Sequence, residues 1–542
     1  MKRDYSNWSK DELVRELKKV EKRKKYGIVW EDKPEQVAEL CKEKLPVLEE
    51  DKHKEIKTDE LKPVNILIEG DNYHALSVLN YTHKGTVDVI YIDPPYNTGN
   101  GDSFIFNDKI VDKEDQYKHS KWLSFMSKRL NLVKNLLSSK GVMFIHIDEH
   151  EVGQLILLCN EIFDERNIDV LIWEKTANIT NTKIIRRIKQ THEYIIVCYK
   201  NKAMTFFGKV KKYPKWQNKY TNPDNDPRGP YKQGIISKTE SKSRSSSRNY
   251  YSVTIPSGRV VTREWYISKE EYERYLADKR IFVPKAGDGV PALKIFENLE
   301  NDYYCNSILV DLGTITTAKE ELKDMFGGKD VFSTPKPVKL GMELIRLVKD
   351  KDITVLDFFA GSGTVGHAVL KLNGEDGGSR NFILCTDNEN NIASDVCFPR
   401  VKKVISGYKN TNEENVKGLG GNLKYFKTDF VDAEPTDKNK RKLVDKSTEM
   451  LCLKEDCFNE STKGQSFRMF TNGQNKHLGI IYDDDGIEPF KKQVKKLNRK
   501  FIVYVFSLDD SAREEEFEDV TGLVELRPIP AVILNVYRRI FK

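Results

Sequence analysis

Between residues 64 and 200, short apolar runs of β-forming residues alternate with stretches of helical period. VNILIEG (64–70) is followed by a helical pattern from about Asn72, VDVIYID (87–93) by one from about Tyr117 to Ser139, and GVMFIHID (141–148) by one from about Glu149 to Phe163. DVLIWEK (169–175) and HEYIIVCYK (192–200) extend the series. Such runs, separated by amphipathic helices, predict an open parallel sheet with helices on both faces. The rhythm breaks and then resumes at DITVLDFFAGSGT (352–364), where a strand enters a glycine turn and a helix, VGHAVLKLN, before another strand, NFILCTDNE (381–389). Ligands of such sheets collect at the carboxyl ends of the strands.

Flanking segments complete the layout. Residues 9–26, SKDELVRELKKVEKRKKY, predict a charged helix with Ser9 as N-cap and Glu12 at the capping-box position. Beyond TDKNKRK (436–442), HLGIIYD, PFKKQVKKLN and KFIVYVFS form one strand-helix-strand unit, expected as a small separate domain. The chain therefore divides into an N-terminal helix and connector (1–63), a first core block (64–201), a middle region (202–330), a second core block (331–435) and a C-terminal α/β domain (436–542).

Composition adds one strong feature. The 542 residues are 38% hydrophobic and 32% charged, too many for one ordinary core and without an apolar run that would span a bilayer. The first residues, MKRDYSNWSKDEL, lack an apolar signal core, so a cytoplasmic protein is expected. The eight cysteines are scattered, and the C-x4-C pair Cys452 and Cys457 has no second pair, so buried free thiols are the reading rather than structural zinc. The net charge of +7 is concentrated: residues 183–250 hold 17 lysines and arginines against 4 acids, and the rest of the chain is net acidic. Trp216, Tyr213, Tyr220, Tyr231, Tyr250 and Tyr251 are interleaved with these cations. Cations, aromatics and small hydroxyls together suit a phosphate backbone and base edges; a solvated insertion would have the same composition.

The glycine turn narrows the chemistry. In LDFFAGSGT, Gly361 and Gly363 follow a β run at once, which lets the backbone turn tightly near a ligand. The third glycine of the dinucleotide fingerprint is missing, as is the Lys-Ser/Thr of a phosphate loop. The next strand ends in Asp387 and Glu389, carboxylates able to accept from a ribose. A nucleoside-bearing cofactor with little phosphate, such as adenosine carrying a sulfonium amino acid, fits.

The pair DPPY (93–96) and FAGSG (359–363) resembles the signature of amino-group DNA methyltransferases that use S-adenosylmethionine. With DPPY first and a basic insertion between, the order resembles their β class. The wider pattern is similar to the modification (Mod) subunits of type III restriction-modification systems, through ILIEGDNYHAL (66–76), GVMFIHIDEHE (141–151), THEYIIVCYKN (191–201), STPKPVKL (333–340) and PIPAVILNVYRRIFK (528–542). The resemblance implies a Rossmann-like S-adenosylmethionine-dependent methyltransferase fold with 202–330 as the inserted target-recognition region. It also implies double-stranded DNA as partner, a homodimer, and a separate restriction subunit where cleavage occurs. Helix 9–26 and the last segment are candidates for dimer or subunit contacts.

The same resemblance assigns residues. Asp93 and the Pro94 carbonyl would accept hydrogen bonds from the exocyclic amine, Pro94 and Pro95 bring no competing N–H, and Tyr96 would stack on an extruded base. DPPY commonly marks adenine N6, and SPPY cytosine N4. Phe359, Ala360, Gly361 and Gly363, with Asp357 before them, would hold the methionine side of the cofactor, Asp387 and Glu389 the ribose, and Asp71 the adenine amino group. Thr334, Pro335 and Lys336 would close over the methionine end. Phe358 stands where the family often has proline. Asp148 and Glu149 are read as shaping the base pocket, and His146 and His192 as strand histidines with local hydrogen bonds, since no His/Asp/Glu spacing resembles a metal site. Lys211, Lys212, Lys215, Trp216, Arg244 and Arg248 are the candidate DNA contacts. A cytosine-N4 enzyme, an RNA methyltransferase and an inactive DNA-binding scaffold are the alternatives.

Overall fold

The computed structural model describes residues 27–59, 62–99, 114–176, 190–205, 221–296, 305–508 and 511–541, with short pieces at 9–10, 13–14, 105–106, 109–112, 188 and 207–208. Most of the helix expected over 9–26, and Lys211, Lys212, Tyr213, Lys215, Trp216 and Tyr220, lie outside these residues. The chain forms two compact units, one of Met1–Gly208 and Asn306–Lys542, the other of Lys209–Cys305.

The larger unit is built on a sheet of ten strands: β1 Lys44–Glu50, β2 Val64–Glu69, β3 Val87–Ile92, β4 Leu137–Ile147, β5 Ile168–Glu174, β6 His192–Tyr199, β7 Ile308–Leu309, β8 Thr354–Asp357, β9 Asn381–Thr386 and β10 Asn422–Asp432. Their spatial order is β1-β10-β2-β9-β8-β3-β4-β6-β5-β7. From β10 to β4 all neighbours are parallel, and β6 runs antiparallel to both β4 and β5. The parallel strands are apolar on both faces because helices cover both. Ile66, Ile68, Ile90 and Ile92 pack with helices α1 (Asn72–Thr82), α2 (Lys118–Leu136) and α3 (Val152–Phe163). By strand alternation Leu67 and Val89 point the other way, the side of α4 (Val338–Arg346), α5 (Thr364–Asp376) and α6 (Phe398–Ser406), where Gly366 of α5 lies against Leu384.

The order of the strands positions the site. The chain leaves two places between β2 and β3, and β8 and β9 fill them only after residue 350. From β8 the chain moves to β9, and from β3 to β4, in opposite directions across the sheet. The β8/β3 boundary is therefore a topological switch point, where a crevice opens beyond the strand ends. Val355 pairs with Val89 and Leu356 with Ile90. The ends of these two strands carry FAGSG and DPPY.

Two boundaries differ from the sequence reading. Residues 306–330 belong to the larger unit, where Ile308 and Leu309 pair with Ile172 and Trp173. Residues 443–542 hold a sheet of five strands, β11 Asn459–Lys463, β12 Phe467–Thr471, β13 His477–Ile481, β14 Phe501–Phe506 and β15 Val524–Ile529, but they do not separate from the larger unit. Leu451, Tyr504 and Ile533 share one apolar core with Val47 and Leu79, and the Tyr537 hydroxyl donates to the Pro46 carbonyl at 2.5 Å.

The unit Lys209–Cys305 has its own small core. A hairpin of Tyr250–Thr254 and Val260–Glu264, three strands at Tyr231–Ile235, Ile281–Phe282 and Ala292–Phe296, and a helix Lys269–Ala277 surround Trp265, which stacks on Tyr251 at 5.5 Å. Ser268 and Glu271 close that helix's N-terminus as a capping box. No described helix of the chain is long and apolar enough to cross a membrane.

Candidate active site

The end of β3 is clamped from several sides. The Asp93 Oδ1 accepts from the Tyr96 hydroxyl at 2.7 Å, and the Pro95 carbonyl accepts from Nε1 of the buried Trp122 on α2 at 2.7 Å. Asn97 takes the left-handed conformation (φ 57°), and its amide donates to the Lys118 carbonyl at 3.2 Å and to Oε1 of the fully buried Glu151 at 2.5 Å. Two prolines without N–H groups and an asparagine tolerant of positive φ allow this turn to leave the sheet sharply. Pro94 is buried, and Asp93 and Tyr96 are partly exposed.

A buried charge cluster stands against Asp93. The Lys336 Nζ lies 2.9 Å from Asp93 Oδ2, 2.9 Å from the Tyr96 hydroxyl and 3.3 Å from Glu193 Oε2. The Tyr96 hydroxyl is also 3.1 Å from Glu193 Oε2, and Lys175 Nζ is 3.5 Å from Glu193 Oε1. Burial disfavours the Lys336 ammonium, but the Asp93 and Glu193 carboxylates outweigh it and hold its pKa above the ordinary lysine value. Burial and the same carboxylates push the Tyr96 phenol well up, so it remains a donor. The sequence placed Lys336 on the cofactor side. The structure brings its ammonium to Asp93, while its carbonyl is reached by the Thr364 hydroxyl at 3.4 Å, just after the glycine turn. Thr334 is exposed and Pro335 is buried.

At the end of β8, Asp357 is buried and its Oδ1 accepts from the Phe359 N–H at 3.0 Å. Burial raises its pKa well above the carboxylate range. Gly361 and Gly363 have φ of 48° and 76°, and a Cβ would lie 3.1 Å from the Phe332 ring at the first and 3.1 Å from the Cys397 sulfur at the second. Both positions favour glycine. The buried Arg400 holds the turn from beneath, donating to the Ser362 hydroxyl at 3.0 Å and the Thr364 hydroxyl at 2.9 Å.

Asp71 follows β2 and caps α1, accepting from the Tyr73 N–H at 2.7 Å. Asp387 follows the adjacent β9 and accepts from the Glu389 N–H at 3.1 Å. Asp387 and Glu389 are exposed. Buried Arg129 lies 3.6 Å from Asp71 and donates to Asn72, whose amide reaches the Phe358 carbonyl at 3.0 Å. The Asn72 amide thus ties the loops after β2 and β8, and the Gly70 N–H, donating to the Thr386 carbonyl at 3.0 Å, joins the end of β9 to them.

Several of these residues were not singled out in the sequence. Glu193 opens the apolar run YIIVCY, which is the signal that could have marked it, since a buried charge needs a partner, whereas Glu151, Arg129 and Arg400 stand beside other charged residues and carry no such local signal. His146 corrects the sequence reading. Neither of its ring nitrogens has a partner among the described residues; the ring lies against Tyr91 at 4.9 Å and Trp173 at 6.2 Å. Burial, reinforced by the Lys336 charge, lowers its pKa to about 3, so it is neutral. His192 packs edge-on against Tyr194 at 5.0 Å. Asp148, Glu149 and His150 bring ligand atoms within 4.8 Å of one another by adjacency in a turn, but Asp148 spends both oxygens on His150. The eight cysteines are free thiols, all buried except Cys305, which is half-buried. In the smaller unit Arg248 is exposed and Arg244 bonds to Glu264 at 3.1 Å.

The StyLTI Mod subunit of a type III restriction-modification enzyme from Salmonella typhimurium is 35% identical over 347 residues, 59% of this chain and 52% of that relative. The EcoPI Mod subunit of Escherichia phage P1 is 30% identical over 400 residues, 63% of this chain and 60% of the relative. The type II methyltransferase M.KpnI of Klebsiella pneumoniae is 29% identical over 387 residues, 67% of this chain and 90% of the relative. The chain spans between half and three fifths of the length of these two Mod subunits. A family model described as DNA methylase matches residues 87–396, from the first residue of β3 to beyond β9. That match takes in both strand ends of the switch point, and the chain belongs to the DNA methylase family.

Proposed function

We propose that the chain transfers a methyl group from S-adenosylmethionine to the N6 amino group of an adenine turned out of duplex DNA, as the modification component of a restriction-modification system. The observation that carries this reading is the meeting of Asp93 and the glycine turn at the ends of the adjacent strands β3 and β8. The residues fit the cofactor. The turn at 359–363 bears no side chain at its two strained positions, and Asp71 and Asp387 offer carboxylates after neighbouring strands. Phe359, Ala360, Gly361 and Gly363, with Asp357 beneath, would hold the methionine side, and Asp71, Asp387 and Glu389 the nucleoside. When bound, the cofactor supplies an electrophilic methyl group.

An adenine amine is a poor nucleophile because its lone pair is delocalised into the ring. Asp93 and the Pro94 carbonyl accept its two N–H groups, which returns electron density to nitrogen and aims the lone pair. Tyr96, anchored through its hydroxyl, offers its ring to the base. After transfer the cationic nitrogen loses a proton to Asp93 or to water. Positioning is most of the catalysis. A second copy of the chain and a separate restriction subunit belong to the same proposal; the names of two relatives as Mod subunits support the latter.

The test is single-molecule sequencing of DNA from cells expressing the wild-type chain or Asp93→Ala. The expected result is N6-methyladenine confined to one motif and absent with the variant. N4-methylcytosine in its place would reassign the base, and no modified base despite folded wild-type protein would overturn the DNA reading.

A further inference from the structure

Glu193 is a group in the cluster at Asp93 to which the chemistry above gives no task. It is the second residue of β6, paired across the sheet with Trp173, and its side chain is 4% exposed. The rest of the strand, YIIVCY, is largely buried and apolar. An ionised carboxylate in such a place costs several kcal/mol unless it is paired, and an apolar residue would serve packing better.

The hydrogen-bond inventory says what Glu193 is for. An ammonium has three donors, and three oxygens surround Lys336 Nζ: Asp93 Oδ2 at 2.9 Å, the Tyr96 hydroxyl at 2.9 Å and Glu193 Oε2 at 3.3 Å. Tyr96 has one proton, shared between Asp93 Oδ1 and Glu193 Oε2. An ionised carboxylate has about four acceptor sites. Tyr96 occupies one on Asp93 Oδ1 and Lys336 one on Oδ2, and no other described residue takes the remaining ones. Without Glu193 the ammonium has fewer oxygens to share and is drawn further onto Asp93, where it competes with an incoming N–H for the same oxygen and the same charge.

We infer that Glu193 is a positioning residue for methyl transfer: by holding the Tyr96 hydroxyl and the Lys336 ammonium beside Asp93, it fixes how Asp93 presents its open acceptor sites to the substrate amine. This inference rests on the methyltransferase reading above. Glu193 does not touch the reacting atoms; it acts through Lys336 and Tyr96.

The experiment is single-turnover methylation of a duplex carrying the target motif by the full chain, as wild type, Glu193→Gln and Glu193→Asp, with cofactor affinity measured by calorimetry and duplex affinity by anisotropy. The expected result is a single-turnover rate about 10- to 100-fold lower in Glu193→Gln with both affinities held within about twofold, because positioning acts on the chemical step. Glu193→Asp, shorter but still charged, is expected to recover part of the rate, whereas a role in shape alone would make it worse than the isosteric glutamine. A Glu193→Gln chain that methylates at the wild-type rate, or one that loses rate, cofactor affinity and folding stability together, overturns the inference. A wild-type chain that methylates no DNA overturns the methyltransferase reading, and this inference with it.

Discussion

The Lys336 ammonium lies 2.9 Å from Oδ2 of Asp93, although the whole Lys209–Cys305 unit separates the two residues along the chain. Lys336 is the cation that Asp93 and the more deeply buried Glu193 share. Lys336→Met therefore leaves Glu193 with one cation among the described residues, Lys175 at 3.5 Å, and the Tyr96 hydroxyl at 3.1 Å. Removing one partner of a buried pair costs about 3–5 kcal/mol, and the surviving lysine places this case at the lower end. Urea denaturation should register the loss, and adding Glu193→Gln to Lys336→Met should return part of it. A midpoint equal to wild type would mean that the pair contributes nothing to stability.

Gly70, between β2 and Asp71, is a tighter constraint than its half-buried loop position suggests. Its φ is 149°, and a Cβ there would sit 2.0 Å from the Thr428 hydroxyl oxygen on β10. Gly377, at φ 65°, has nothing within 4 Å of the same position. Gly377→Ala should cost about 1–2 kcal/mol, the price of left-handed backbone alone. Gly70→Ala adds overpacking of roughly 1–3 kcal/mol, because a strand residue must move. Chemical denaturation of the two variants side by side checks the difference, and equal losses would contradict the close approach to Thr428.

The strands were legible in the sequence and their neighbours were not. Parallel strands buried on both faces read as apolar runs, so VDVIYID and DITVLDF stand out locally. Nothing within either run says that they pair, since a parallel crossover leaves no turn signature; only the DPPY and FAGSG motifs linked them. For the same reason Lys336 was singled out in its own stretch, Glu193 was not, and nothing marked them as partners. His146 fell on the wrong side of a local rule: alternation along β4 carries its ring inward, between residues of two other strands, where no sequence-near group can bond it. Asn459–Lys463 and Ile308–Leu309 escaped as strands because NESTK has no apolar alternation and two residues make no pattern.

Arg244 and Arg248, read together from one basic run, should differ in DNA binding. Both are exposed, but Arg244 Nη2 lies 3.1 Å from Glu264 Oε1, so a phosphate has to compete with that carboxylate for it. If both face DNA, Arg248→Ala should lower the slope of log K against log salt by about 0.9, the value for one phosphate contact, and Arg244→Ala by less. Anisotropy titrations of a motif-bearing duplex over a range of salt concentrations measure both slopes. Equal reductions would mean that Arg244 leaves Glu264 on binding.

The same Glu264 gives the smaller unit a sensitivity to acid. Hydrogen bonds from the Arg244 side chain, and from Lys238 at 2.8 Å, hold its carboxyl down to about 2. Asp226, bonded to Arg228 and Lys294, is also held below the carboxylate range. An unfolded glutamate titrates near 4.3. With the folded pKa depressed, the stabilisation is complete above the unfolded value and is lost as pH falls through about 4 towards 2. Glu264 pairs with Tyr250 across the hairpin, so the loss should appear first in the amides of Tyr250–Thr254 and Val260–Glu264. Hydrogen-exchange protection factors of these peptides in the full chain should be flat from pH 7 to 5 and decline at pH 3. In Glu264→Gln, which has no proton to gain, protection should be lower at pH 7 and vary less with pH. Wild-type protection that does not change between pH 5 and 3 would show that the Glu264 ion pairs do not hold the hairpin.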